Sequence, residues 1–135
     1  MQAPSMTRPI LWSCPCSAFS GKLRSYLVKA GVAHDERFAS QSRFHQEIVP
    51  RIGYLVVPVL ELGDGTLMQD STLTMLHLDA NGAVARRLVP PTHTPVRHLL
   101  AHLLNFMGSD GFLKPGMHYR WTYLEEQRQF FESEF

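Results

Sequence analysis

A proline inside an apolar, strand-like segment is the feature that most constrains the fold of this chain. Residues 54–62 read Tyr-Leu-Val-Val-Pro-Val-Leu-Glu-Leu, with Pro58 at the centre. Proline lacks the N–H that a sheet ladder needs, so it is kept out of central strands unless the chain bends or the peptide bond is cis. We therefore predict a bend or a cis bond at Val57-Pro58. Either would turn the backbone polar groups of Val57 outward, where a ligand's peptide backbone could pair with them.

Two short signals follow this proline. Asp64-Gly65 predicts a tight hairpin of type I′, which needs positive φ at both central residues. The second strand then leads to Asp70-Ser71 at the start of a helix. Asp and Ser are preferred helix caps, and a helix N-terminus is also a site for anions. Capping and ligand binding are thus both open for this pair.

The order of elements predicted for residues 8–82 is β-α-β-α-β-β-α. A strand at residues 9–13 precedes a helix that Ser20 caps and Gly31 ends. The other predicted elements are a strand within residues 32–39, a partly helical connection at 41–52, the hairpin and a helix at 71–80.

The second half of the chain has a different composition. Residues 83–95 are rich in arginine, proline and threonine, which predicts a linker. Residues 96–135 carry helical patterns that run to the last residue, so we expect an incomplete helical domain whose packing partners lie beyond it. The apolar residues of these patterns are Val96, Leu99, Leu100, Leu103, Met107, Phe130, Phe131 and Phe135.

Charge and hydropathy exclude several partners. The formal net charge is +1 over 135 residues, with no basic stripe of the kind that binding to phosphates requires, so nucleic acid is not expected. The apolar runs are far shorter than the roughly 20 residues that span a bilayer, so no membrane partner is expected. Residues 1–7 lack a secretory pattern, which predicts the cytoplasm.

Cysteine and histidine usage is sparse. Only Cys14 and Cys16 occur, and one intervening residue is a poor separation for an unstrained disulfide, so free thiols in a reducing compartment are expected. His98 and His102 lie one helical turn apart, but no third ligand has suitable spacing, and no metal site is predicted.

Three pieces of the first eighty residues resemble the N-terminal, thioredoxin-like domain of the soluble glutathione transferases. Ser17-Ala-Phe-Ser-Gly-Lys-Leu-Arg24 is similar to the family's Ser/Cys-Pro-Phe-Ser-x-Lys-Val-Arg, although Ala18 stands where proline is usual. Val57-Pro58 resembles the family's cis-proline motif, and Asp70-Ser71 its acidic-Ser pair. Beyond the linker, the stretch His118-Tyr-Arg-Trp121 resembles the start of the family's helical domain.

This resemblance implies an α/β fold, namely a thioredoxin-like βαβαββα domain followed by the beginning of an all-α domain. The implied activity is a transferase that conjugates the thiolate of glutathione, its co-substrate, to an unknown electrophile without a metal. Ser17 would be the catalytic residue that stabilises the thiolate. Glutathione would be bound by the segment Val57-Pro58 and, at its γ-glutamyl end, by Asp70 and Ser71. The family also implies a homodimer for the full-length protein.

Two other functions stay open. Cys14-Pro15-Cys16-Ser17 is similar to the Cys-x-x-Ser redox loop of monothiol glutaredoxins, in which Cys14, or alternatively Cys16, would form a mixed disulfide with glutathione. The chain would then be a glutathione-dependent thiol reductase. A non-catalytic member that keeps the fold for binding is the other alternative, because fold does not fix function. The four loop residues are also compatible with a plain turn.

Overall fold

The computed structural model describes residues 8–134 and divides into two compact units, one ending at Leu88 and the other beginning at Val89. The α/β order predicted from the sequence is confirmed for the first unit. Its elements are β1 (Ile10–Ser13), α1 (Ala18–Ala30), β2 (Asp35–Phe38), a π-helical turn (Phe44–Ile48) that continues as α2 (Val49–Ile52), β3 (Val59–Glu61), β4 (Leu67–Gln69) and α3 (Ser71–Ala80).

The four strands form one mixed sheet in the order β2-β1-β3-β4. Strand β1 is parallel to β2 and antiparallel to β3, and β3 is antiparallel to β4. In this register Trp12 lies opposite Val59, and Val59 lies opposite Gln69. The end of β1, the start of β3 and the end of β4 therefore share one edge of the sheet.

Side-chain alternation along the central strands divides the core into two clusters. One joins the sheet to α1 and α3, and its buried members are Leu11, Leu23, Tyr26, Leu27, Ala30, Leu60 and Leu78. The other joins the sheet to the π-helical turn, and its buried members are Trp12, Phe44, Ile48 and Val59. Adjacent residues of β1 and of β3 thus belong to different clusters. A shift of either strand by one residue would exchange these faces, so the two clusters fix the register of both strands.

The first helix begins earlier than the sequence predicts. Its N-cap is Ser17, whose hydroxyl oxygen accepts a hydrogen bond from the N–H of Ser20 at 3.2 Å. The prediction that Ser20 caps this helix is therefore wrong. Ser20 is buried in the first turn, where its hydroxyl oxygen accepts from the N–H of Cys14 at 3.3 Å. Gly31, with φ of 72°, ends the helix as predicted.

The hairpin between β3 and β4 also differs from its prediction. Only Gly65 of the Asp64-Gly65 pair has positive φ, at 83°, so the turn is not of type I′. The N–H of Leu62 donates to the carbonyl of Thr66 at 2.8 Å, which leaves a loop of three residues, 63–65, and within it the N–H of Gly65 donates to the carbonyl of Leu62 at 2.8 Å. Such loops end on a left-handed glycine, and this conformation needs only one positive φ.

The second unit is helical, as predicted, and consists of α4 (Pro95–Phe106), a π-helical turn (Met107–Gly111), α5 (Leu113–Thr122) and α6 (Leu124–Glu134). No residue of α4 or α5 is buried, and Val96 and Leu99 are 70% and 59% exposed. Phe135 lies outside the described residues. None of the helices described within residues 8–134 is long and apolar enough to cross a membrane.

An ion pair on the first unit gives a testable pH dependence. Glu36 of β2 accepts hydrogen bonds from the guanidinium of Arg24, the shortest at 2.6 Å, and from the hydroxyl of Ser13 at 2.6 Å. The bonds from Arg24 contribute most to holding the pKa of Glu36 below its usual value. A lowered carboxyl pKa stabilises the fold above the unfolded-state pKa, and this contribution is lost as the pH falls through the folded-state pKa.

We expect Glu36→Gln to lower the free energy of unfolding by about 1 kcal/mol at neutral pH, with the difference shrinking below about pH 4.5. Urea unfolding at a series of pH values measures this. Glu47→Gln is the matched control, because Glu47 pairs with Arg43 on the surface with 59% of its side chain exposed. A difference that stays constant down to low pH would contradict the assignment.

Candidate functional site

Three loop segments meet at the shared edge of the sheet. Residues 14–17 follow β1, Val57-Pro58 precede β3, and Asp70-Ser71 follow β4. A hydrogen bond also joins the two helices that begin at this edge: Lys22 Nζ of α1 donates to Thr72 Oγ1 of α3 at 2.7 Å. All the site residues predicted from the sequence therefore belong to segments that converge on this one edge.

The segment before β3 presents unused backbone groups. The peptide bond between Val57 and Pro58 is cis, and Pro58 stands just before the strand rather than inside it. Val57 is half-buried, with its side chain packed against the cluster that contains Trp12. Within the described part of the chain, neither its N–H nor its carbonyl has a hydrogen-bond partner. Both backbone groups of Val57 thus lack a partner in residues 8–134, and their pairing with a ligand stays a prediction.

Asp70 combines a capping role with a strained backbone. It is the N-cap of α3, and its Oδ1 accepts from the N–H groups of Thr72 at 2.8 Å and Leu73 at 2.9 Å. Its φ of 67° is the only positive value at a non-glycine position in the described residues. Strain of this kind costs about 1–3 kcal/mol and concentrates at ligand sites. The capping bonds use only Oδ1, so the exposed carboxylate keeps Oδ2 for other interactions.

Ser71 begins α3 and is 5% exposed. Three of the first amides of the helix are satisfied: Thr72 and Leu73 donate to the Asp70 side chain, and the N–H of Thr74 donates to the Asp70 carbonyl at 2.9 Å. No acceptor for the N–H of Ser71 exists among residues 8–134. An open amide at a helix N-terminus is a suitable site for a carboxylate.

Lys22 is a charged neighbour of the site whose position at this edge is not predicted from the sequence. Its ammonium is bonded to Thr72, the residue next to Ser71. It adds positive charge at the end of α3 where the helix dipole already favours an anion. Its position near the start of α1 is the one sequence feature that could have indicated a role at the site. Only the packing of α1 on α3 brings its side chain to this edge.

Gln69 is a second residue at this edge that the sequence does not single out. Its Oε1 is buried and has no hydrogen-bond partner among the described residues. Leaving such an acceptor unpaired costs about 1–3 kcal/mol, so the few that occur in native proteins call for an explanation. Gln69 is paired with Val59 across the sheet, next to the cis peptide bond. Thr74 Oγ1 is also buried, and it has no hydrogen-bond partner within residues 8–134.

The loop after β1 brings the three candidate catalytic residues, Cys14, Cys16 and Ser17, into one turn. The N–H of Ser17 donates to the carbonyl of Cys14 at 3.0 Å, with Pro15 at the second position of the turn. The hydroxyl of Ser17 accepts the capping bond from Ser20, yet a hydroxyl can donate its own proton at the same time. The two cysteine sulfurs are 2.8 Å apart.

The second unit contains a pair of contacting histidines and a groove along one helix. His98 and His102 contact each other through their Nε2 atoms at 3.1 Å, and His98 Nδ1 lies 2.7 Å from the carbonyl of Pro90. The described residues hold no group of three or more side chains suited to a metal. An open groove of about 600 Å³ lies along one helix, α5, and its lining residues are Leu113, Lys114, Met117, His118, Trp121 and Thr122.

Comparison with known proteins supports the fold. No protein-family model matches the chain, and no curated protein matches it. Among solved structures, it is similar to a glutathione transferase homolog from Sulfitobacter that was crystallised with bound glutathione, with a TM-score of 0.58 and 14% sequence identity. The match covers 77% of this chain and 50% of that one, so this chain spans half the length of its structural neighbour. The fold is thus α/β and glutathione-transferase-like.

Proposed function

We propose that this chain binds glutathione at the shared sheet edge and transfers its thiolate to an electrophile. The observation that carries the proposal is the set of groups at the start of α3. The Asp70 carboxylate, the Lys22 ammonium and the open amide of Ser71 suit the ammonium and carboxylate of an α-amino acid, as found at the γ-glutamyl end of glutathione. The glutathione bound to the Sulfitobacter protein supports this choice of ligand.

The remaining parts of glutathione would follow the sheet edge. The N–H and carbonyl of Val57 would pair with the backbone of the ligand's cysteine, in the manner of an added strand. The thiol would then lie towards the start of α1, near Ser17. A hydroxyl that donates a hydrogen bond to sulfur favours the thiolate over the thiol, and the thiolate is the nucleophile. The thiolate attacks the electrophilic carbon, forms the new C–S bond and expels a leaving group with its electron pair.

The other proposals about the whole protein rest on the family resemblance. Residues 8–82 would be the glutathione-binding domain, 83–95 a linker and 96–135 the start of a helical domain that contacts the electrophile. The exposed apolar residues of α4 suit a surface that packs against further protein. We propose a homodimer for the full-length protein and a cytoplasmic location, where thiols are kept reduced.

A thiol reductase is the second candidate function. The specific observation in its favour is the contact between the sulfurs of Cys14 and Cys16 in the loop that begins α1. In that case a cysteine, rather than Ser17, would react with glutathione. A binding protein without catalytic activity is the outcome if glutathione binds and neither reaction occurs.

Replacement of Ser17 separates these functions. We expect Ser17→Ala to raise the pKa of the bound glutathione thiol and to lower kcat/KM for conjugation of chlorodinitrobenzene at least tenfold, with little change in the Kd of glutathione. Calorimetric titration, thiolate absorbance against pH and turnover measure the three quantities. Ser17→Thr should restore turnover, because threonine keeps both the hydroxyl and the helix cap.

Ser25→Ala is the matched control, since Ser25 is exposed on the same helix and should leave all three quantities unchanged. Cys14→Ser and Cys16→Ser should be nearly silent in conjugation. If either cysteine variant loses conjugation activity while Ser17→Ala retains it, the reductase replaces the transferase. Binding of glutathione with no turnover in either assay would favour the non-catalytic function.

A further inference from the structure

The two cysteines of the chain are in direct contact. Cys14 Sγ and Cys16 Sγ are 2.8 Å apart, within hydrogen-bonding distance, and neither residue takes part in a disulfide. Sequence spacing alone disfavours a bridge across one residue. The structure nevertheless places the two sulfurs within 2.8 Å of each other, so a short approach of the two side chains would bring them to the roughly 2.05 Å of a disulfide bond.

The turn that carries the pair is held at both ends. The N–H of Ser17 donates to the carbonyl of Cys14, and the N–H of Cys14 donates to the hydroxyl of Ser20 inside α1. Pro15 fixes the backbone between the cysteines, because its ring restricts φ. The two contacting sulfurs therefore belong to a turn that hydrogen bonds and a proline constrain at the start of a helix.

The two cysteine residues differ in solvent exposure. Cys14 is 8% exposed, whereas Cys16 is partly open to solvent. In thiol-disulfide exchange, access determines which sulfur meets an external disulfide first. Cys16 is thus the more accessible residue for an external disulfide, and the sulfur of Cys14 is within 2.8 Å of the sulfur of Cys16.

We propose that Cys14 and Cys16 form a dithiol that exchanges with small disulfides such as glutathione disulfide. The Cys16 thiolate attacks one sulfur of glutathione disulfide, a Cys16-glutathione bond forms, and one glutathione leaves as its thiolate. The Cys14 thiolate then attacks the sulfur of Cys16 and releases the second glutathione. The chain loses two electrons and two protons, which are carried away by two molecules of reduced glutathione.

This proposal is independent of glutathione binding at α3. The exchange needs only an accessible disulfide, so 2-hydroxyethyl disulfide, which has no γ-glutamyl end, should also oxidise the pair. Oxidation by both disulfides with no calorimetric binding of glutathione would refute the proposed function alone. Binding of glutathione without oxidation of the pair would refute the dithiol alone.

The experiment is mass spectrometry of the full 135-residue chain after incubation with glutathione disulfide and alkylation of the remaining thiols. We expect the wild type to lose two hydrogens and to carry neither a glutathione adduct nor an alkyl group. Cys14→Ser, with no second thiol to resolve the intermediate, should accumulate a stable glutathione adduct on Cys16. Cys16→Ser should react at least tenfold more slowly, because Cys14 is buried.

Non-reducing electrophoresis at several protein concentrations distinguishes a bridge within one chain from one between chains. A wild type that keeps both thiols available to the alkylating agent would overturn the proposal. A stable glutathione adduct on the wild type, or a bridge that forms only between chains, would do the same. Cys14→Ala provides a second test of the resolving role if the serine variant folds poorly by circular dichroism.

Discussion

Asp70→Asn is expected to weaken glutathione binding about tenfold or more while leaving the stability of the fold nearly unchanged. Asparagine caps a helix as well as aspartate and tolerates positive φ, so the hydrogen bonds to Thr72 and Leu73 and the φ of 67° can persist. The negative charge that would meet the ligand's ammonium is lost. A hydrogen bond between charged groups is worth about 1.5–3 kcal/mol, which corresponds to roughly 10–100-fold in Kd.

Asp70→Ala should lose both glutathione binding and part of the stability of the fold. Alanine provides no cap and is strained at this φ, so the free energy of unfolding should fall by about 2 kcal/mol in addition to the loss of binding. Calorimetric titration and urea unfolding measure the two effects separately. Asp64→Asn is the control, because Asp64 accepts a bond from Thr66 in the hairpin and should not alter glutathione binding. If Asp70→Asn binds glutathione as tightly as the wild type, Asp70 is only a cap.

The fold was predictable because its signals are local. Apolar residues at helical spacing identified the buried face of α1, and the position of Gly31 identified its end. The prediction of a type I′ turn was wrong because the loop contains Gly63 in addition to Asp64 and Gly65. A loop of three residues needs only one left-handed glycine. The predicted N-cap of α1 was wrong by three residues, because serine is a good capping residue at both position 17 and position 20. Only the path of the chain after β1 selects Ser17.

The candidate site was predictable where it lies in sequence motifs and not where it depends on packing. Asp70 and Ser71 stand at a recognisable helix start. Lys22 reaches that point only because α1 packs on α3, and Gln69 becomes an unpaired acceptor only through burial at the end of β4. The contact between Cys14 and Cys16 likewise depends on side-chain rotamers within the turn, which spacing does not specify.

The second large effect is expected in the core of the first unit, where a buried carboxylate joins three segments. Asp79 Oδ1 accepts from the hydroxyl of Tyr26 at 2.9 Å and from the N–H of Leu88 at 3.0 Å. Asp79 is 5% exposed and Tyr26 is 4% exposed. Burial, followed by the hydrogen bond to Asp79, raises the pKa of Tyr26 far above its usual value.

Asp79→Ala should lower the free energy of unfolding by about 3 kcal/mol, because the Tyr26 hydroxyl and the Leu88 N–H both lose an acceptor in the core. Asp79→Asn should cost clearly less, since its amide oxygen can accept the same two bonds. Urea unfolding followed by circular dichroism measures both variants. Equal losses for alanine and asparagine would show that the charge of Asp79 matters rather than its role as an acceptor.

The same contact predicts how stability changes at alkaline pH. A raised tyrosine pKa gives stabilisation that is complete below the unfolded-state pKa of about 10 and is lost as the pH rises towards the folded-state value. The stability advantage of the wild type over Tyr26→Phe should therefore shrink above about pH 10. Tyr54→Phe is the control, because Tyr54 is 55% exposed and its removal should leave the alkaline decline in place. A Tyr26→Phe variant whose stability falls in parallel with the wild type above pH 10 would exclude the Tyr26–Asp79 contact as the source of that decline.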